Sequence, residues 1–273
     1  MIPAVPSALL SAGAYGLADF AGGLAARRAS VLRVTVVAQA AGLVTLLPGL
    51  WLVGGTLSGS AAVTGMLAGL CGVSGLLLYF RGLAVGPMGT VAPLSAVVAA
   101  GLPLLVGIVW GERPGPLTVG GMVLALVAIV LATMGSRGER AALQGVLLGL
   151  ASGAGFGLFF VALDATPSDS GLWPLIVGRA TTVTLLLLAV AAVRPKGRGN
   201  PWLMVASGVL DSVANVFFLL ATRVGELGVT SVIVSLYPVA VVLLARAVLR
   251  ERLTAAQMAG VVLAIGASVA MSA

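Results

Sequence analysis

Residues 111–125, GERPGPLTVGGMVLA, and residues 250–264, RERLTAAQMAGVVLA, decide the fold, because the second stretch repeats the first at a shift of 139. The register lays Glu112 on Glu251, Arg113 on Arg252 and Gly121 on Gly260, and it carries Val123, Leu124 and Ala125 onto Val262, Leu263 and Ala264. Upstream, it pairs Gly86 with Gly225 and Gly89 with Gly228. Apolar coincidences are cheap in so apolar a chain, so the glycines and the Glu-Arg pair carry the weight. Near the start of each half, Ser11, Tyr15, Gly16 and Leu17 answer Ser152, Phe156, Gly157 and Leu158 at a shift of 141, which needs a two-residue gap. A repeat on this scale divides the chain into halves of about 1–136 and 137–273.

Composition fixes the solvent around those halves. Hydrophobic residues make up 60% of the 273 and charged residues 8%, with a mean hydropathy of +1.17. A soluble domain carries roughly 25% charged residues, so most of this chain faces lipid. Charge and glycine-proline breaks delimit apolar runs at 5–26, 32–53, 61–81, 89–110, 117–135, 141–162, 172–193, 201–222, 228–249 and 255–272. Each approaches the roughly 20 residues that a membrane-crossing helix needs. The first lacks a basic leader region and reads as a spanning helix, not a signal peptide. Trp51, Trp110, Trp173 and Trp202 all fall at run ends, where amphipathic rings sit at headgroup depth.

Ten runs in two repeats give five per half. Five is odd, so the second half enters the membrane from the opposite side to the first. The expected fold is therefore all-α and membrane-integral, with two inverted five-helix repeats, an architecture common among secondary transporters. The net charge of +7 comes from short basic clusters between runs, which act as topology signals and attract anionic headgroups, not nucleic acid. With no histidine and with Cys71 as the single cysteine, a His/Cys metal cluster and an intrachain disulfide are both ruled out. No phosphate loop, zinc-protease motif or dinucleotide fingerprint occurs, so neither an enzyme nor a cofactor is expected.

The same segments resemble a known family. The GERP at Glu112, the RERLTAAQMAGVVLAIG from Arg250, and SLYPVAVVLLARAVLRERL with Pro238 13 residues before Glu251 are similar to the signature of EamA-type transporters of the drug/metabolite transporter superfamily. Tyr15-Gly16 occupies the place of that family's Trp-Gly pair. Arg179 matches the arginine often carried in the second span of a repeat, and Gln39 replaces it in the first half. Ala99 stands where Pro238 would predict a proline. The resemblance implies export of amino acids, metabolites or drugs, with some relatives similar to lipid-sugar flippases. It also implies both termini inside. Counting basic residues places both outside, because twelve of the 15 lie on the face of the turns after spans one, three, five, seven and nine.

Ionisable groups inside spans are costly and mark function by default. Asp19, Arg179 and Asp211 are the three, and Asn215 shares a helix face with Asp211 four residues earlier. The repeat places Gly72 and Leu76 opposite them, so polarity is asymmetric between halves. One reading puts Asp211, Asn215, Arg179, Asp19, Gln39 and Tyr237 around a substrate or proton site; the other makes Asp211 and Arg179 a structural pair. Pro93, Pro103 and Pro238 are expected to interrupt equivalent spans as hinges. Glu112 and Glu251 read as helix caps, and Gly145, Gly149, Gly153 and Gly157 as a packing stripe. The expected function is secondary transport of small metabolites or drugs across the cytoplasmic membrane. The alternatives are a flippase of lipid-linked substrates and a non-transporting scaffold. The expected partners are a small-molecule substrate and membrane lipids, with a monomer sufficient and a dimer compatible.

Overall fold

The computed structural model describes residues 3–26, 28–85, 88–133, 143–193, 199–248 and 254–272. In hydrocarbon, backbone N–H and C=O groups have no water to bond, so each apolar run closes its own ladder as a helix. The helices are α1 (Ala4–Ala26), α2 (Val31–Val53), α3 (Gly59–Val85), α4 (Met88–Val109), α5 (Pro116–Thr133) and α6 (Leu143–Asp164). They continue as α7 (Trp173–Val193), α8 (Pro201–Thr222), α9 (Leu227–Val234), α10 (Tyr237–Val248) and α11 (Ala255–Ser272), with a 3₁₀ turn at Ser168–Ser170. Seven helical stretches among the described residues are long and apolar enough to cross a membrane, with Leu227–Val248 counted as one. Three shorter apolar helices, Leu94–Val109, Pro116–Leu131 and Ala255–Met271, accompany them. Trp51, Trp110 and Trp202 stand at helix ends with 93%, 57% and 80% of their surface free, as belt residues should.

The ninth run departs from expectation. Where one helix over 228–249 was expected, α9 stops at Val234 and α10 starts at Tyr237, with Ser235 and Leu236 in a turn between them. Pro238 explains the break: it has no N–H to donate, and its ring clashes with the carbonyl four residues back, that of Val234. The equivalent run of the first half is not interrupted, contrary to the sequence expectation. Helix α4 is continuous from Met88 to Val109 with Pro93 and Pro103 inside it. The position matching Pro238 is Ala99, so the ring that breaks α9 from α10 has no counterpart there.

Packing follows the repeat. Helix α1 lies along α8, and α3 lies along α6; α2 packs on α7 and α8, while α3 packs on α7. Helix α4 packs on α6 and α9, α1 on α9 and α10, and α5 on α11. Most of the extensive contacts thus join one half to the other, in pairs related by exchanging the halves. Three glycines of the α6 stripe, Gly149, Gly153 and Gly157, face α4. A Cβ on Gly153 would lie 2.5 Å from Ser95 O, and one on Gly149 would lie 3.2 Å from Val91 O.

The GERP segment has a specific structural task. Helix α4 ends in a Schellman turn: the Glu112 N–H donates to Gly107 O (2.9 Å) and the Gly111 N–H to Ile108 O (3.1 Å), with Gly111 at φ +102. That turn aims Glu112 at the start of α9, where its carboxylate accepts the backbone N–H groups of Leu227 (2.5 Å) and Gly228 (2.9 Å). Glu226, at the N-cap position of α9, makes no side-chain cap bond. Burial, reinforced by the charge of Glu112, pushes its own carboxyl above the ordinary glutamate range. Glu112 therefore does for α9 what a local cap does elsewhere. Glu251 lies outside the described residues. Glu112→Ala leaves two N–H groups of a half-helix unpaired and is expected to cost about 1–3 kcal/mol, read as a fall in thermal midpoint, with Glu112→Gln losing less.

Two loop contacts close the same end of the bundle. The Thr56 N–H donates to Asp169 O (2.9 Å) and its hydroxyl to Asp169 Oδ2 (2.9 Å), tying the α2–α3 turn to the α6–α7 turn. Arg223, just past α8, donates to Thr166 O, Thr166 Oγ1 and Pro167 O.

Candidate functional site

Close helix approach creates the site. Helices α2 and α8 meet at Gly42 and Gly208; a Cβ on Gly42 would lie 3.0 Å from Gly208 O and 3.4 Å from the Arg179 guanidinium carbon. Helices α3 and α7 meet at Gly178, whose Cβ would lie 2.8 Å from Gly65 O. These contacts place Gln39 of α2, Arg179 of α7 and Asp211 of α8 around one point. The Arg179 guanidinium donates through Nη1 to Gln39 Oε1 and through Nη2 to Asp211 Oδ2, the latter an ion pair. Arg179 is 8% exposed. One turn along α8, Asn215 Nδ2 donates to Asp211 O (2.6 Å) and to Asp211 Oδ2 (3.3 Å).

That network forms one wall of a cavity of about 940 Å³, the space at its mouth included. Tyr15 and Asp19 of α1 line it, with Gly72 and Leu76 of α3, Ala99 of α4 and Tyr237 at the start of α10. So Asp19, Gln39, Arg179, Asp211, Asn215 and Tyr237, scattered over five helices, come to one cavity. Gly72 and Leu76, the repeat mates of Asp211 and Asn215, lie there too, so the space is formed by matching positions of the two halves and is polar on one side. Pro238 is buried at the α9–α10 break beside it. Pro103, buried in α4, is not among the described residues that line it.

The cavity is sealed at one end. Leu163 and Leu175, toward the end closed by the Thr56–Asp169 contact, are 0% and 4% exposed. Asp19, toward the α1–α2 turn, is exposed, and Gln39 and Leu76 are partly so. Another stretch of the wall is aromatic. Phe156, Phe159 and Phe160 of α6 line it, Phe160 stacks on Phe218 at 4.5 Å between ring centroids, and Tyr15 meets Phe160 and Tyr237 at 6.5 and 6.2 Å. Sequence reasoning singled out Phe156 only as the mate of Tyr15. The available signal was local: three of the seven phenylalanines of the chain fall within five residues of α6.

Four buried polar atoms have no hydrogen-bond partner among the described residues: Tyr15 OH, Ser212 Oγ, Asn215 Oδ1 and Ser235 Oγ. Two of these residues, Tyr15 and Asn215, line the cavity. Asp19 likewise forms no hydrogen bond or ion pair among the described residues. Buried polar groups are normally satisfied, so an orphaned set around a cavity marks a place for a ligand.

A multi-pass membrane protein with a polar-walled cavity between two repeated halves is the class that fold and site define. The EamA-like transporter family model matches residues 2–134 and again 143–273, and the chain belongs to that family. A solved structure described as "Crystal structure of protein" shares the fold, with a TM-score of 0.80 at 19% identity over 98% of this chain and 98% of that one. No curated protein matches the sequence.

Proposed function

We propose that this protein is a secondary active transporter that exports small metabolites or drugs across the cytoplasmic membrane by alternating access. The observation that carries the reading is the cavity itself, formed by equivalent positions of two halves and sealed at one end while open toward the other. In this reading the chain has ten spans in two inverted halves, 1–136 and 137–273, with α9 and α10 as one broken crossing. Broken helices near the midplane are a recurring element of transporter sites. The break at Ser235–Leu236 serves as the hinge, with Pro238 fixing its place. Asp211 and Asn215 contribute to substrate binding, and Arg179 and Gln39 hold Asp211 in position. A gradient or proton exchange drives the cycle, and the carboxylates Asp19 and Asp211 are the groups able to carry a proton.

A melting-temperature panel of amino acids, sugars, nucleosides, polyamines and cationic drugs tests this. A ligand that binds only the folded state stabilises it by about 2.7 kcal/mol at a hundredfold excess over Kd. The expected result is a hit that disappears in Asp211→Asn. A panel without hits, or a hit insensitive to that change, contradicts the site assignment.

A further inference from the structure

We propose that the cavity takes a primary or secondary amine in its ammonium form, carried on a small aromatic or apolar body. The inference rests on the transport reading above and names the chemistry of its substrate. Arg179 is committed to Asp211 and Gln39, so that cation and one carboxylate compensate each other. Asp19 remains, exposed to the cavity and without a hydrogen bond or ion pair among the described residues. An occupant that neutralises the site brings one positive charge; a carboxylate-bearing solute finds no free cation among the described residues of the wall.

The orphaned polar atoms say what kind of cation. Asn215 is 3% exposed, and its amide is oriented by the two bonds from Nδ2 to Asp211, which leaves Oδ1 as an unpartnered acceptor. Tyr15 OH is also unpartnered. Asp19 is one turn from Tyr15 on α1, and Ser11, one turn the other way, donates to Ala214 O (2.8 Å), which sets α1 against α8 at the level of Asn215. Acceptors thus run from the open end of the cavity inward, and they suit an occupant with N–H donors. A quaternary ammonium has the charge but no N–H to give. The apolar remainder of the solute lies against Phe156, Phe159 and Phe160, where aromatic faces also attract a cation.

The test is binding of three probes to the purified full-length protein by calorimetry: phenethylamine, phenethyltrimethylammonium and phenylacetate. Phenethylamine is expected to bind at least tenfold more tightly than either of the others, and Asp19→Asn is expected to weaken it at least tenfold. Asp19→Glu keeps the charge and is expected to stay within a few-fold of wild type, which separates a lost site from a lost fold. Equal or tighter binding of the quaternary or the carboxylate probe overturns the proposal, as does undiminished amine binding in Asp19→Asn. Flux into proteoliposomes separates the two readings. Asp19-dependent binding of phenethylamine without its movement sinks the transport reading and leaves the site standing. Movement of another solute with no amine binding does the reverse.

Discussion

Arg179→Met is expected to lower stability by about 1–3 kcal/mol, because it leaves the partly buried Asp211 carboxylate, 29% exposed at the cavity wall, without its guanidinium partner. Gln39 Oε1 loses its donor at the same stroke. The double variant Arg179→Met/Asp211→Leu is expected to regain most of that loss, since exchanging a buried ion pair for apolar groups of similar volume is often neutral or better. Stability in detergent, by thermal midpoint or by chemical unfolding, measures both. The pair also separates the two sequence readings of these residues. If the network binds solute, the double variant recovers its midpoint yet shows no ligand-dependent shift. If the pair is a structural lock alone, the ligand response returns with the stability.

The second large effect is steric. Gly153→Leu puts a side chain where even a Cβ would stand 2.5 Å from Ser95 O and 2.7 Å from Val98 Cβ, so α6 must leave α4. Overpacking commonly costs 1–3 kcal/mol, and here the obstacle is partly backbone, which cannot rotate away. The expected outcome is a loss of folded yield or a drop of at least about 3 kcal/mol. Gly23→Leu, on a glycine with nothing within 4 Å of its Cβ, is the control and should be nearly silent. Similar drops in both variants would show that helix propensity or membrane insertion, and not the α4–α6 approach, governs the result.

Much of the fold is legible in the sequence. The spans follow from hydropathy because lipid leaves the backbone no alternative to helix. That six scattered side chains would line one cavity was partly legible because polar groups in spans are few: Asp19, Arg179 and Asp211 are conspicuous in apolar runs. What periodicity could not convey was which helices meet. That Gln39 would accept from Arg179 depends on Gly42 and Gly208 letting α2 and α8 close up, a three-dimensional fact. The broken ninth run was half legible: Pro238 announced it, but Pro93 and Pro103 announced breaks in α4 that do not occur. Proline limits what a helix may do without dictating it, since neighbouring helices can re-satisfy freed backbone groups. The aromatic wall was missed because a phenylalanine in a membrane span is ordinary unless its face is known to be unoccupied.

The central claim is that the sealed end of the cavity must open for solute to pass. In a Cys71→Ala background, Thr56→Cys and Asp169→Cys place a thiol pair where the native side chains meet at 2.9 Å and the backbones are joined by a hydrogen bond. Flux of the solute found by ligand screening, measured in proteoliposomes under oxidising and reducing conditions, is the deciding experiment. Alternating access predicts flux at background while the pair is cross-linked and full recovery on reduction. Undiminished flux through the cross-linked protein would contradict it.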